Sequence, residues 1–295
     1  MNKDFYMTTT VAFLGLGVMG FPMAGHLSKQ FNVNVFNRTL SKAEKWQQQY
    51  QGQAFDNPRD AVADANFVCV CIGRDEDVIE IMEAQSIVAN MKPGTVIIDH
   101  TTTSALLAER MAALTEQYGV HYLDAPVSGG QAGAENGALT TMVGGNQQAY
   151  ELAVPVMTTY SKQIQHMGAA GAGQRTKMVN QICIAGLLQG LSEAMQFAQQ
   201  AELDGDKVLE VISKGAAQSW QMENRGHTML AGQYDFGFAV DWMRKDLGYA
   251  LDEAKRNQSL LPITALVDQF YAEVQTLGGG RWDTSSLMTR LVKSK

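Results

Sequence analysis

The first chemical signal in the chain is carried by glycines. In VAFLGLGVMGFPMAGHL, Val11 to Leu27, the apolar run Val11 to Leu14 reads as a buried strand. The chain then turns through Gly15-Leu16-Gly17-Val18-Met19-Gly20 into a helix. The first glycine permits the tight turn, the second lets a backbone approach a pyrophosphate, and the third lets the helix lie against the sheet. The helix N-terminus presents unpaired N–H groups and partial positive charge to phosphate oxygens. A bare GxGxxG also serves ordinary turns; the strand before it and the helix after it turn the pattern into a dinucleotide-binding reading. The next strand ends Val35-Phe36-Asn37-Arg38-Thr39. NAD-selective sites place an acidic residue about 20 positions past the first glycine, on the ribose hydroxyls. Asn37 stands there with no charge to repel a 2′-phosphate, Arg38 offers paired N–H groups to phosphate oxygens, and Thr39 adds a hydroxyl. This pattern favours NADP, with NAD the other candidate. The alternative is that Asn37 and Thr39 cap the next helix and Arg38 is solvated.

Further candidates lie where strands of an open α/β sheet end, since ligands bind at those carboxyl ends. DHTTTS, Asp99 to Ser104, and DAPVSGG, Asp124 to Gly130, each follow a strand-like run. Ser128, Gly129 and Gly130 can form a backbone N–H pocket for an anion such as a carboxylate, or a plain turn of small residues. On a later helix Lys177 and Asn180 share a face, whereas Arg175 and Lys177 do not. By position alone Lys177 reads as a solvated lysine. Lys245 and Asp246, in WMRKDLGYALDEA, read as surface charge on an amphipathic helix. His100, His121 and His166 read as structural. Trp220, Asn224 and Phe236 read as core packing or as pocket walls, with core packing preferred.

These residues need elements to hold them. Strand patterns fall at Val33–Phe36, Gln53–Phe55, Asn66–Ile72, Thr95–Ile98, His121–Asp124, Leu139–Val143 and Ile164–Met167. Helical patterns lie between them, with Thr39 or Ser41 capping the helix through Ala43, Trp46 and Tyr50, then near Asp75–Met82, Ser104–Tyr118 and Asn146–Tyr160. Alternation at this spacing predicts a parallel, doubly wound sheet. After GAAGAG, Gly168 to Gly173, no strand-like run follows, and a helix of about 30 residues, roughly 45 Å long, is expected. Domains are expected at 1–170 and 171–295. The small residues Ala185, Gly186 and Gly190 on the long helix suggest a subunit interface.

At 295 residues, about two domains fit. A net charge of −7 gives no electrostatic case for a nucleic-acid or membrane-surface partner. Cys69 and Cys71 would share one face of a strand, poorly placed for a disulfide, and read as buried thiols of a reducing compartment. No CxxC or histidine cluster suggests a metal site. The start MNKDFYMTTT lacks the apolar core of a signal peptide, and no apolar run is long enough for a membrane span. A cytoplasmic location is the expectation.

The chain resembles the β-hydroxyacid dehydrogenase family, which includes 3-hydroxyisobutyrate dehydrogenases and tartronate semialdehyde reductases. GLGVMGFPMAGHL resembles its dinucleotide-binding start and DAPVSGGQAGAENGALTTMVGG its substrate-binding signature. GAGQRTKMVNQ resembles its catalytic stretch, KDLGYALDEA its late helix and LGGGRWDTSSL its ending. The resemblance implies an α/β fold, an N-terminal Rossmann doubly wound sheet followed by an all-helical C-terminal domain, with the active site between the two. It implies Lys177 as catalytic lysine, Asn180 as substrate-binding asparagine, and Ser128, Gly129 and Gly130 as the substrate carboxylate loop. It places Thr102 at the nicotinamide half of the cofactor and Lys245 beside cofactor and active site. Loop contacts to the cofactor fall at Ile72, Gly73 and Asp77, although Gly73 stands where a proline is common. His100 departs from the usual small residue after the aspartate.

The implied reaction is hydride transfer between a nicotinamide and the carbon bearing a substrate hydroxyl, with Lys177 taking or returning the hydroxyl proton. An ordinary lysine, with a pKa near 10.4, is a poor base at neutral pH, so the role calls for burial or a neighbouring cation such as Lys245. The expectation is an NADP-preferring enzyme interconverting a small 3-hydroxy acid and its semialdehyde, as a homodimer or homotetramer. The other readings are an L-serine or related hydroxy amino acid dehydrogenase, and a non-catalytic dinucleotide-binding protein, which Lys177 and Asn180 together argue against.

Overall fold

The computed structural model describes residues 9–291. The reading of the amino-terminal stretch as no signal peptide falls mainly on residues 1–8, outside the described residues. The chain divides into two compact units between Lys177 and Met178.

The first unit is built on strands β1 (Thr10–Leu14), β2 (Asn32–Phe36), β3 (Gln53–Phe55), β4 (Phe67–Val70), β5 (Val96–Asp99) and β6 (His121–Asp124). They run parallel in the order β3-β2-β1-β4-β5-β6. In this doubly wound order the direction of winding reverses between β1 and β4, leaving a crevice at their carboxyl ends. Helices α1 (Gly20–Leu27), α2 (Leu40–Gln49), α3 (Pro58–Val62), α4 (Asp75–Ile79) and α5 (Ala105–Glu116) connect the strands. Side chains alternate across the sheet. Val11, Phe13, Phe67, Cys69, Val96 and Ile98 enter one apolar layer, while Ala12, Leu14, Val68, Val70 and Ile97 enter the other. Burial on both faces explains why these strands read as unbroken apolar runs. It also keeps Cys69 a free thiol, which burial pushes up to about 12.

Several local expectations are corrected. The sheet is not wholly parallel. After β6 come β7 (Val127–Ser128), α6 (Gly130–Glu135), β8 (Leu139–Gly145), α7 (Gln147–Met157) and β9 (Ser161–Gly168). β8 pairs antiparallel with both β6 and β7, and β9 pairs parallel with β8. A parallel return from β6 needs a crossover of a dozen or more residues, usually a helix. Two strand residues and the six-residue α6 do not span the sheet, so the chain doubles back. Thr39 stands at the N-cap of α2 without a side-chain capping bond; Asn37 Nδ2 holds this turn by donating to the Thr39 carbonyl at 3.0 Å. The helix expected to reach Met82 leaves α-geometry after Ile79 for a π turn over Glu80–Ala84. Helix α3 was not foreseen. Pro58 opens it, and Asn57 caps it by accepting from the Arg59 N–H.

Helix α8 (Ala172–Gln200), 29 residues long, carries the chain into the second unit. There α9 (Gly205–Ile212), α10 (Trp220–Leu230), α11 (Val240–Asn257) and α12 (Pro262–Thr276) follow, with no strand among the described residues. Asp204 and Ser219 cap α9 and α10. One apolar cluster joins Leu188, Met243, Leu247 and Tyr271, and another Leu191, Met195, Leu209 and Met229. Trp220 is not core. It is 53% exposed, and the Arg225 guanidinium lies 5.0 Å from its ring and 4.9 Å from that of Phe236. Ala185 is buried and so turns away from the face of Gly186 and Gly190. Among the described residues no helix is long and apolar enough to cross a membrane.

Candidate active site

The glycine loop is built by close approach. Gly15 has φ +100°, and a Cβ there would collide with the Cys71 carbonyl oxygen; a Cβ on Gly20 would collide with that of Gly15. These contacts seat the start of α1 directly on the ends of β1 and β4. At Gly17 an added Cβ meets nothing within 4 Å. Gly17 and Val18 are exposed, Met19 is half-buried and Leu16 is buried. The loop therefore presents an open backbone face at a helix N-terminus, the shape a dinucleotide diphosphate requires.

The end of β2 is tied to this loop. Asn37 Oδ1 accepts from the Leu16 N–H at 2.9 Å, so its amide braces the glycine turn from below while its Nδ2 braces α2. Arg38 has a side chain 83% exposed, with a nitrogen 3.4 Å from Asp77 Oδ1. Asp77 Oδ2 accepts from the Arg74 N–H and so closes the first turn of α4. Thr39 is exposed. After β4 the Ile72 N–H donates to Thr101 Oγ1 at 3.1 Å, linking the Ile72–Gly73 loop to the loop after β5. Thr102, half-buried in that loop, is flanked by two fixed backbone groups. The Thr101 carbonyl accepts from Gln174 Nε2 at 2.8 Å, and the Thr103 N–H donates to Gln174 Oε1 at 3.1 Å.

The strand ends hold three buried ionisable groups. Asp99 accepts from Tyr122 Oη at 2.7 Å and from the Thr101 N–H at 2.9 Å; burial pushes its carboxyl up to about 6 against the pull of those bonds. Asp124 accepts from the Gly171 and Gln174 N–H groups of α8's start, and burial likewise pushes it up to about 6. His100 is held down to about 4 by burial. Its Nδ1 lies 2.7 Å from the Ala125 carbonyl, which only accepts, so Nδ1 carries the proton. Nε2 then accepts from Tyr160 Oη at 2.9 Å, and the Tyr160 oxygen takes the Cys69 thiol at 3.9 Å.

Beyond β6, Ser128 is half-buried and Gly129 and Gly130 are exposed, with φ +126° and +61°. Positive φ at both glycines turns the chain sharply into α6. Lys177, in the second turn of α8, is 8% exposed and not a solvated surface lysine.

Asn180 and Lys245 belong to the second unit. Asn180 Nδ2 donates to Gln181 Oε1 at 2.7 Å, and Gln181 Nε2 donates to Asp246 Oδ2 at 2.7 Å. Lys245 Nζ lies 3.4 Å from Asp246 Oδ1 and 5.4 and 5.5 Å from the centres of the Trp242 and Tyr249 rings. Lys245 and Asp246 are thus not surface charge; their side chains are 14% and 2% exposed. One buried carboxylate holds both the amide chain to Asn180 and the Lys245 ammonium. The sequence reading passed over Asp124, Gln174 and Gln181. The two glutamines stand three before and four after Lys177, a polar stripe on one helix face that could have marked them.

Residues 10–168 match the family described as the NAD binding domain of 6-phosphogluconate dehydrogenase, and residues 171–291 that described as "NAD-binding of NADP-dependent 3-hydroxyisobutyrate dehydrogenase". The chain belongs to the β-hydroxyacid dehydrogenase family. As a β-hydroxyacid dehydrogenase it is an NAD(P)-dependent enzyme of the 3-hydroxyisobutyrate dehydrogenase type, acting on CH–OH donors with a nicotinamide dinucleotide as cofactor. It is 60% identical over 287 residues to an uncharacterized oxidoreductase of Shewanella frigidimarina, covering 97% of this chain and 99% of that one. It is 34% identical to the 2-(hydroxymethyl)glutarate dehydrogenase of Eubacterium barkeri, over 94% of this chain and 93% of that one. The structure of Mycobacterium tuberculosis 3-hydroxyisobutyrate dehydrogenase with L-serine superposes with a TM-score of 0.88 at 30% identity, covering 97% of this chain and 99% of that one.

The His100 network has a pH signature within this β-hydroxyacid dehydrogenase. An imidazole held near 4 in the fold titrates near 6.5 when unfolded, so the unfolded chain gains protons first and stability is lost as pH falls from about 6.5 toward 4. Asp99 and Asp124, raised by burial, act in the opposite sense over the same range, so the comparison must isolate His100. Between pH 7 and pH 5 the unfolding free energy of the wild type should fall by about 2 kcal/mol relative to that of His100→Gln. Urea denaturation of both proteins at both pH values reads this, because bonds lost by the substitution itself are lost at either pH. Parallel pH dependences would refute a neutral His100.

Proposed function

We propose that this chain is an NADP-preferring dehydrogenase that interconverts a small 3-hydroxy acid and its semialdehyde, with Lys177 transferring the proton. The observation that carries the reading is the burial of Lys177, 8% exposed, on a helix whose first turn is fixed to the ends of the strands. When bound, the dinucleotide supplies the nicotinamide carbon that accepts or donates hydride. In oxidation Lys177 accepts the proton of the substrate hydroxyl as C–H hydride departs, so the product leaves as a neutral carbonyl; in reduction the ammonium returns it. The Ser128 hydroxyl and the N–H groups of Gly129 and Gly130 hold the substrate carboxylate, and Asn180 donates to the substrate. Thr102 and Lys245 contact the cofactor, with Ile72, Gly73 and Asp77 beside it and Gly15, Leu16, Gly17, Val18, Met19 and Gly20 under its diphosphate. Lys177→Ala should lower kcat by two or more orders of magnitude, the range for loss of a general acid–base group, with cofactor affinity retained. Steady-state assays with 3-hydroxyisobutyrate, tartronate semialdehyde, glyoxylate, succinic semialdehyde and serine, together with NADPH titration, read this, and near-normal kcat would remove the assignment. A second substrate reading, L-serine or a related hydroxy amino acid, has support in the Mycobacterium tuberculosis relative solved with L-serine.

The NADP preference rests on the uncharged Asn37 and the exposed cation of Arg38. In the absence of phosphate Arg38 faces Asp77, but an exposed pair of this kind contributes only about 0–1 kcal/mol. A charge-assisted phosphate contact contributes roughly 1.5–3 kcal/mol, so a 2′-phosphate wins Arg38 from Asp77. Arg38→Ala should weaken NADPH binding on the order of tenfold or more while leaving NADH nearly unchanged. A higher wild-type kcat/KM with NAD than with NADP would overturn the preference.

The chain also assembles with a second copy of itself through α8. Val179, Cys183, Gly186, Gly190 and Phe197 repeat at helical spacing, with Val179 61% and Phe197 70% exposed. A Cβ added at Gly186 or Gly190 meets nothing within 4 Å among the described residues, which leaves room there for close helix approach. Light scattering at micromolar concentration should give the mass of two or more chains, falling to one chain for Phe197→Asp; a monomeric wild type would count against the interface.

A further inference from the structure

The residue before α8 is Gly171, which has no side chain to cap the helix as Asn146 caps α7. Two of the N–H groups at the start of α8 are satisfied from elsewhere in the fold. Asp124, the last residue of β6 and fully buried, accepts from the Gly171 N–H with Oδ1 and from the Gln174 N–H with Oδ2, both at 2.8 Å. The helix end presses against the sheet with no side chain between them. A Cβ on Gly173 would lie 2.5 Å from the carbonyl oxygens of both Asp124 and Met142, and one on Gly144 would lie 2.5 Å from Asp124 Oδ1. Gln174, also fully buried, then clamps the helix sideways. Its amide donates to the Thr101 carbonyl and accepts from the Thr103 N–H.

Each contact constrains a different motion of the helix. Paired bonds to the two carboxylate oxygens set how far α8 advances toward β6. The Gln174 amide sets its rotation, because a turn about the helix axis would carry the side chain away from the loop after β5. Lys177 stands one turn beyond Gln174 on the same face. We infer that Asp124 and Gln174 are positioning residues for Lys177, a non-local cap and clamp that place its ammonium against the cofactor loop at Thr102. The inference rests on the reading of Lys177 as the proton-transfer residue. Neither group takes part in the proton transfer itself. The carboxylate meets only backbone N–H groups, and the amide meets only the β5 loop.

Asp124→Asn keeps shape and volume but turns an NH2 group toward one of the two backbone N–H donors. Gln174→Glu keeps volume but turns a carboxylate oxygen toward the Thr101 carbonyl. Either variant of the full chain should lower kcat tenfold or more, and Asp124→Asn, which touches no residue of the cofactor loop, should leave the NADPH dissociation constant within about twofold of wild type. Should Asp124→Asn fail to fold, Gln174→Glu carries the test alone. The decisive measurement is a double-mutant cycle with Lys177→Ala. If the clamp acts through the lysine, Asp124→Asn or Gln174→Glu added to Lys177→Ala lowers kcat no further than about twofold. Losses that multiply show the clamp acting elsewhere and overturn the inference while leaving Lys177 its role. Unchanged kcat in both clamp variants overturns it as well. Full kcat in Lys177→Ala removes the lysine reading, and the inference with it, an outcome set apart because the single lysine variant alone reveals it.

Discussion

The carboxylate of Asp124 lies out of water at the point where a helix begins. An ionised carboxyl in the protein interior is costly unless hydrogen bonds replace its hydration. The first N–H groups of a helix have no intrahelical acceptor, and they carry the positive end of its dipole. At the start of α8 each difficulty answers the other. The remaining cost shows in a carboxyl pushed up to about 6 by burial despite two donors. The close glycine contacts, the Gln174 amide and the seat of Lys177 all take their geometry from this junction.

The second unit repeats the device with a different donor set. Asp246 is buried on α11, with the Gln181 amide on one oxygen and the Lys245 ammonium near the other. The Trp242 and Tyr249 rings flank that ammonium, so a cation drawn largely out of water has both a counter-charge and aromatic faces. A buried pair of this kind does little for stability in comparison with apolar packing, but losing one partner leaves an uncompensated charge. Its effect here is to fix where Asn180 and Lys245 point.

The sequence was informative where chemistry is local. The strand–turn–helix around Gly15, Gly17 and Gly20 follows from spacing, since the collisions that require glycine are between neighbouring strand ends and the turn itself. The β6 strand and the long α8 helix were equally plain from their patterns. Where a role depends on a distant partner, composition was silent. Asp124 meets groups 47 and 50 positions away, and nothing near it in the chain marks it as a cap. Lys245 and Asp246 looked like surface charge because a polar pair on an amphipathic helix usually is; only packing buries them. Asn37 was read for its missing charge, whereas its amide holds the glycine loop and the start of α2. The antiparallel β8 escaped because strand direction is set by connection length, which periodicity does not report.

The chain of groups from Cys69 through Tyr160 and His100 to the Ala125 carbonyl runs in one direction only, each member donating to the next. Its far end is a backbone oxygen that cannot reverse roles. Removing the His100 imidazole alone would leave the Ala125 carbonyl without its donor and the Tyr160 hydroxyl without its acceptor, both in the interior. The tautomer of His100 is set by a main-chain atom, so no side-chain substitution elsewhere in the relay can reverse the direction in which its protons point.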